Sequence, residues 1–230
     1  MKVYEVRFKI FMLENIELER IQEIITNLID SSLGKDDELL KLHKTNEFKN
    51  YCFDFPYPIE ADKVYKANSI YTIRIRTISY ELANHFTNNT VNEFNNEIKG
   101  LKAEIRIIPK KHIEKIYSIT PLIIKNENGY WKGNITLDEF ERRLRENLIK
   151  KYNTFNSTKI DEDFELYSGI EFKNNKPIAT KYKSIRLLGD KVSLNIAENE
   201  EAQELAYMVL GTGIGEVNAR GYGFVNFRWL

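Results

Sequence analysis

The sequence has a single cysteine, Cys52, and only three histidines, His43, His85 and His112. One cysteine excludes an internal disulfide and leaves a thiolate-rich zinc or iron–sulfur site without ligands. Lysine plus arginine equals aspartate plus glutamate, at 34 each, so net charge cannot draw the chain to nucleic acid or anionic lipid. No apolar run approaches the ~20 residues of a membrane span, and the charged N-terminus is no signal peptide. These absences predict a soluble protein of a reducing, cytoplasmic compartment with no membrane partner.

The first half of the sequence predicts the element order β, α, β, β, α, β. Alternating apolar residues predict strands over 2–11, 51–55, 69–79 and 103–109. Helical spacing of apolar residues predicts helices over 17–33 and 80–88, the second capped by Ser79. The polar stretch 35–50 between them has weak periodicity.

The second half repeats this order. Strands are predicted over 119–125 and 164–172, a hairpin within 184–196, and a last strand at the C-terminus. Helices are predicted over 136–155, with a capping box of Thr136 and Glu139, and over about 200–210. The chain is therefore predicted to be an α+β protein with tandem ferredoxin-like (βαββαβ) domains over 1–118 and 119–230. This fold alone assigns no function.

Five of the eleven glycines lie within residues 211–223, GTGIGEVNARGYG, which we call the glycine loop. Glycine concentrates where backbone must adopt positive φ or approach something closely. Exposed amides in such a loop can hold phosphate oxygens, and Arg220 can add a bidentate contact. The alternative is a flexible connection between a helix and its edge strand. The spacing matches neither a nucleotide P-loop nor a dinucleotide-binding turn.

The segment 213–225, GIGEVNARGYGFV, resembles the C-terminal glycine-rich loop of the RAMP (repeat-associated mysterious protein) superfamily. It is similar in particular to the CRISPR-associated endoribonucleases that cut precursor CRISPR RNA within its repeats. The resemblance implies a tandem RAMP/RRM-like fold. It also implies RNA cleavage without a metal ion or cofactor, by attack of a ribose 2′-hydroxyl on the adjacent phosphate. Cyclic-phosphate and 5′-hydroxyl ends would result.

The same resemblance implies a catalytic histidine, and His43 lies where the family often carries it, in the polar segment after the first helix. Lys49, six residues later, resembles the family's transition-state stabiliser. Some members use an upstream tyrosine as general base, but no tyrosine lies between Tyr4 and Tyr51. Either Tyr51 or another group would serve, or the base role is dispensable here. His112 is the second candidate. The alternative is a solvated loop whose histidine has no role.

Basic residues are segregated along the chain, which favours an anionic partner such as RNA. The candidate RNA-binding residues are Lys44, Arg74, Arg76, Lys110, Lys111, Lys181, Lys183, Gly211, Gly213, Gly215, Arg220, Gly221 and Gly223. The alternative for each basic cluster is a solvated face or a protected sheet edge.

The sequence therefore predicts an endoribonuclease that generates guide RNAs, with CRISPR repeat RNA and other CRISPR effector subunits as partners. One alternative is a non-catalytic RAMP subunit that binds RNA in an effector complex. Another is a ferredoxin-like ligand-binding or oligomerisation module unrelated to RNA. The oligomeric state stays open, a homodimer being one alternative.

Overall fold

Two four-stranded antiparallel sheets follow one another along the chain, each covered by two long helices. The computed structural model describes residues 1–45, 47–127, 129–182 and 185–230, without the side chains of Leu42, His43, Lys44 and Tyr182.

The N-terminal half contains β1 (Val3–Met12), β2 (Ile16–Glu17), α1 (Leu18–Leu33), α2 (Asp37–Lys44), β3 (Tyr51–Phe53), β4 (Val64–Tyr65), β5 (Ile70–Thr77), α3 (Tyr80–Asn88) and β6 (Ile98–Ile108). Its sheet has the strand order β3-β5-β1-β6, which is the ferredoxin-like order 2-3-1-4 once the small ribbon β2-β4 is set aside. Every pair in this sheet is antiparallel.

The C-terminal half contains β7 (Ile113–Ser118), α4 (Leu137–Asn156), β8 (Tyr167–Phe172), β9 (Ile178–Tyr182), β10 (Ile185–Gly189), β11 (Val192–Ile196), α5 (Glu200–Thr212) and β12 (Val225–Trp229). Its sheet has the equivalent order β12-β7-β11-β8, and a separate ribbon, β9-β10, is inserted in the chain between β8 and β11. The predicted α+β fold with tandem ferredoxin-like units is confirmed. In the described part of the chain, none of the helices has the length and apolar character needed to cross a bilayer.

The helix starts follow the predicted capping residues. Ser79 Oγ accepts from the Leu82 amide at 3.2 Å, and Thr136 Oγ1 accepts from the Glu139 amide at 3.2 Å. The Glu139 carboxylate binds arginines one turn further along α4, so the described contacts form only half of the predicted capping box.

Two of the predicted strand assignments are wrong. The first strand of the C-terminal sheet is β7, whereas residues 119–125 form only isolated bridges, through Leu122 and Ile123. The predicted hairpin within 184–196 is also wrong, because β10 pairs with β9 while β11 pairs with β7 and β8. A helix, α2, occupies part of the polar stretch 35–50. The division at residue 118 stays a prediction, and the change of sheet between β6 and β7 favours a division several residues earlier.

The two halves are joined by direct packing of α5 and its following loop on the N-terminal sheet. Tyr207 Oη donates to the Ile108 carbonyl at 2.6 Å and accepts from the Val3 amide at 3.2 Å. The end of α5 lies so close to β5 that a Cβ added to Gly211 would be 2.8 Å from Ile78 Cγ2.

Arg76 is a buried link between the halves and not an RNA-binding side chain, which corrects the sequence-based prediction. It is 2% exposed. Its guanidinium donates to Glu5 at 2.8 Å, to the Val225 carbonyl at 2.7 Å and to Asn226 Oδ1 at 3.2 Å. It also stacks on the Phe224 ring at 4.5 Å. Burial would raise the pKa of Glu5, but the neighbouring guanidiniums outweigh it and hold that pKa below its ordinary value.

Replacing Arg76 with alanine is expected to lower the free energy of unfolding by about 3–5 kcal/mol, because Glu5 would stay buried with less positive charge beside it. Chemical denaturation measures the effect. Arg106 also contacts Glu5, at 2.6 Å, but is 53% exposed, so the control Arg106→Ala is expected to cost less than about 1 kcal/mol. Equal costs for the two variants would contradict the linking role of Arg76.

Candidate functional site

A cleft of about 470 Å³ lies where the segment after α2, the middle of α4 and the glycine loop meet. Both halves of the chain contribute to it, and its lining is rich in cations. The residues include Phe48, Lys49, Lys125, Asn147, Lys151, Gly215, Glu216 and Arg220. Such a cation-rich concavity suits an anionic ligand.

Lys49 lies in the cleft, five residues after the end of α2. Its side chain is half-buried, and Nζ donates to the Thr45 carbonyl at 2.7 Å. Burial lowers the pKa of the Lys49 ammonium, and the guanidinium of Arg220 lowers it further against the opposing effect of Glu47. The positive charges of Lys49 and Arg220 therefore act on the same space.

Arg220 ends the single 3₁₀ turn of the glycine loop, Asn218–Arg220. Its guanidinium forms an ion pair with Asp30 at the C-terminal end of α1, and the arginine side chain stays 22% exposed. This pair ties the C-terminal loop to the N-terminal half. A second, looser pair joins Lys125 Nζ to Glu216 at 4.0 Å, and both residues line the cleft.

Tyr51 does not suit the general-base role, which corrects one of the alternatives for that role. It is 2% exposed and packs edge-on against Phe86 with ring centroids 5.3 Å apart. Burial strongly raises the pKa of its phenol, and the charge of Asp30 adds to the effect. Among the described residues its hydroxyl has no hydrogen-bond partner. Tyr51 is one of the residues that line the cleft, but a phenol in this state does not ionise near neutral pH.

The three histidines have different environments. His43 lies one residue before the end of α2, the helix that leads to Lys49; its side chain, like that of Lys44, lies outside the described part of the structure. His85 is buried, bonds Ser32 Oγ at 2.8 Å and has its pKa lowered by burial, as expected of a structural residue. His112 lies exposed between β6 and β7 and is not among the described residues that line the cleft.

The glycine loop is packed against protein, so the physical reason offered for its glycines must be corrected. The amide of Gly213 donates to the Val209 carbonyl at 2.8 Å, that of Gly221 to Asn218 at 3.0 Å and that of Gly223 to Pro121 at 2.8 Å. These amides are therefore not available to phosphate oxygens. RNA binding by the loop stays a prediction that now depends on its side chains, Arg220 above all.

Steric constraint explains the glycines instead. Gly223 has φ of +66°, and a Cβ there would lie 1.9 Å from the Ile214 carbonyl oxygen. Gly221 lies against Phe53 of the N-terminal sheet, where a Cβ would be 2.7 Å from the ring. The loop thus needs glycine in order to touch itself and both halves at once.

The other candidate RNA-binding residues are spread over the surface. Arg74 is partly buried and bonded to Asp54, with Nε 2.6 Å from Oδ2, and Lys110 forms an ion pair with Glu204 of α5. Lys111 and Lys181 are exposed, and Lys183 lies outside the described residues. Of the candidate RNA-binding residues whose side chains the structure describes, only Arg220 and Gly215 line the cleft with Lys49.

Sequence reasoning missed Lys151 and Asn218, which form the floor of the cleft. Lys151 lies one heptad after Leu144, on the apolar stripe of α4, and is 4% exposed. A charged residue on an apolar stripe is the signal that could have identified it, because such a residue is buried with its helix face.

Comparisons with known proteins point to one family. The family model "CRISPR associated protein Cas6, C-terminal" matches residues 107–227. The chain is 22% identical over 240 residues to "CRISPR-associated endoribonuclease Cas6 2" of Methanocaldococcus jannaschii, covering 94% of each protein. The solved structure "CRISPR associated protein Cas6" superposes with a TM-score of 0.74 at 20% identity, covering 98% of this chain and 99% of that one. Another, "An RAMP protein binding different RNA substrates", gives 0.72 at 19% identity, with coverage of 98% and 99%.

Replacing Gly223 with alanine tests the steric explanation of the loop. Gly223→Ala combines an unfavourable positive φ with a clash against the Ile214 carbonyl. The clash is expected to lower the free energy of unfolding by at least about 2 kcal/mol beyond the cost of the positive φ. Gly129 is a matched control, because its φ is +96° and among the described residues nothing lies within 4 Å of an added Cβ. Gly129→Ala is expected to cost about 1–2 kcal/mol. Equal losses in thermal or chemical unfolding would refute the packing argument.

Proposed function

The chain belongs to the Cas6 family of CRISPR-associated proteins, and from that membership we propose that it is an endoribonuclease that cleaves precursor CRISPR RNA within the repeats. The products are guide RNAs. The proposal extends to the chemistry, which is metal-independent transesterification, and to the cleft as the place where it happens.

One observation supports this assignment above the others: Lys49 and Arg220, from opposite halves of the chain, line the same cleft. Lys49 follows closely after α2, the helix that carries His43. RNA cleavage places negative charge on a non-bridging phosphate oxygen in the transition state. Two partly desolvated cations stabilise that charge more than they stabilise the ground state, because the low local dielectric strengthens the interaction.

The reaction needs two proton transfers. The 2′-hydroxyl loses its proton as its oxygen bonds to phosphorus, and the 5′-oxygen of the next nucleotide takes up a proton as its bond to phosphorus breaks. A cyclic 2′,3′-phosphate and a 5′-hydroxyl result. His43 serves one of these transfers, since an imidazole titrates near neutral pH. With Tyr51 buried, the second transfer falls to another group or to water.

Lys49 is the electrostatic stabiliser in this assignment. Its Nζ is anchored to the Thr45 carbonyl at 2.7 Å, so the ammonium is held near one position before a substrate arrives. Preorganised charge of this kind lowers a barrier without the cost of reorienting a flexible side chain during the reaction. Arg220, 22% exposed and braced by Asp30, would hold the phosphate backbone beside it.

His43→Ala is expected to lower the single-turnover cleavage rate of repeat RNA by about 10²–10⁴-fold, the usual range for a lost general acid or base. His112→Ala, which removes the exposed histidine outside the cleft, is the matched control and is expected to leave the rate unchanged. Gel-resolved cleavage in EDTA measures both. A His43→Ala protein that cuts at the normal rate would contradict the assignment.

The same assay separates the alternatives. RNA whose cut-site ribose lacks its 2′-hydroxyl is expected to bind with an affinity that falls steeply with salt and to resist cleavage. Salt-sensitive binding with no cleavage of normal RNA would indicate a non-catalytic RNA-binding subunit. Absent or salt-insensitive binding would indicate a module unrelated to RNA.

Lys49→Met is expected to slow cleavage by about 10²–10³-fold while changing the affinity for the 2′-deoxy RNA by less than about threefold, because the ammonium acts mainly in the transition state. Lys41→Met, at an exposed position of α2, is the control with the same loss of charge. An equal loss of affinity and rate in Lys49→Met would show instead that Lys49 binds the ground state.

A further inference from the structure

Lys151 is a buried lysine that the chemistry above does not use. It projects from α4 beneath the glycine loop and is 4% exposed. The phenyl ring of Phe48, from the segment after α2, lies 5.9 Å from its Nζ. A buried ammonium without a close carboxylate is costly, so its presence at the floor of the cleft requires a reason.

Lys151 Nζ lies within hydrogen-bond distance of three acceptors in the glycine loop. Nζ lies 3.2 Å from the Gly213 carbonyl, 2.7 Å from the Gly215 carbonyl and 2.6 Å from Asn218 Oδ1. Two of these acceptors are backbone carbonyls in the first part of the loop, just after α5. The third belongs to a side chain that itself organises the loop.

Asn218 in turn bonds backbone carbonyls on both sides of it in the loop. Its Nδ2 donates to the Ile214 carbonyl and to the Tyr222 carbonyl, at 3.0 Å each. Asn218 is also the first residue of the 3₁₀ turn whose last residue is Arg220. Lys151 and Asn218 thus form the polar core around which the loop closes, two residues from the guanidinium in the cleft.

We propose that Lys151 is a positioning residue for RNA recognition: through Asn218 and the carbonyls of Gly213 and Gly215 it holds the loop conformation that presents Arg220 to the substrate. The role rests on the proposed function, since Arg220 is the loop side chain expected to meet RNA. Lys151 itself is not placed to contact a reacting group, because Nζ is buried and faces three acceptors of the loop.

The charge surroundings make this role measurable. Burial lowers the pKa of Lys151 to about 7, opposed by the weaker effects of Cys52 on β3 and Glu216 on the loop. When the loop opens, Nζ regains water and its ordinary pKa of 10.5. Between these values the open loop binds one more proton than the closed loop, so closure is favoured as pH rises and opposed as pH falls.

Hydrogen exchange of residues 211–224 tests this without RNA. In the wild type, the opening constant of the loop amides is expected to fall as pH rises from 7 to 9, by up to about tenfold per unit. Lys151→Met is expected to abolish this slope and to reduce loop protection, while β1 and β5 keep theirs. Lys150→Met is the control, because that neighbouring lysine is 68% exposed.

Asn218→Asp is a second variant that keeps the lysine but loses the bonds that Nδ2 donates to the Ile214 and Tyr222 carbonyls. Like Lys151→Met, it must keep the protection of β1 and β5 for its result to count. A carboxylate beside Nζ raises the pKa of Lys151 and is expected to flatten the same slope. An unchanged slope in Asn218→Asp, or a slope retained in Lys151→Met, would overturn the proposal.

RNA measurements then test the functional part. Lys151→Met is expected to weaken binding of 2′-deoxy repeat RNA about tenfold, and Arg220→Met by a similar factor. The double variant should lose little more than the larger single effect, since both changes remove the same contact. Fully additive losses, or unchanged binding by Lys151→Met beside a functional wild type, would overturn the positioning role alone. A wild type that neither binds nor cleaves the RNA would overturn the proposed function as well.

Discussion

The close approach of the chain after α5 to the N-terminal sheet is the constraint on which the cleft depends. A Cβ at Gly211 would lie 2.8 Å from Ile78, and one at Gly221 would lie 2.7 Å from Phe53. Glycine at these two points lets the chain pack closely on the N-terminal sheet, and this packing holds the two halves together. Arg76 completes the junction by bonding Glu5 on one side and the Val225 carbonyl on the other. The cleft is therefore a property of the joined halves and not of either ferredoxin-like unit.

The basic residues of the cleft differ in burial, and this difference separates residues that can bind a ligand from one that supports the loop. Lys49 and Arg220 are only partly exposed, yet each keeps a face toward the space where an anion would lie. Lys151 is buried beneath them, with Nζ bonded to the loop. Low dielectric strengthens the field of Lys49 and Arg220, whereas burial disfavours the charge of Lys151 and leaves its amine to bond neutral acceptors. The degree of burial therefore decides the role: the partly exposed cations face a ligand, and the fully buried lysine supports the loop.

Local sequence signals predicted those elements whose formation depends mainly on local interactions. The Ser79 cap and the apolar stripe of α4 predicted α3 and α4 to within one residue. The strand predicted over 119–125 failed because tertiary contacts compete for that segment. Pro121 cannot donate to a sheet ladder, and its carbonyl accepts from Gly223 instead. The run is apolar because it is buried beneath the glycine loop, which periodicity along one stretch of chain cannot show.

The glycine loop was identified correctly by its residues but for the wrong physical reason, and the correction bears on function. Glycines that serve packing place a loop; they do not distinguish a protein that cuts RNA from one that only holds it. That distinction must lie in the side chains the loop places, together with those it faces across the cleft. Arg220 supplies attraction for a polyanion, which a scaffold subunit would need equally. Lys49 is different, because an ammonium held in advance at a partly desolvated position favours a charge that exists only while the phosphate reacts. The proposed catalysis would therefore depend on the short segment after α2 and not on the glycine loop.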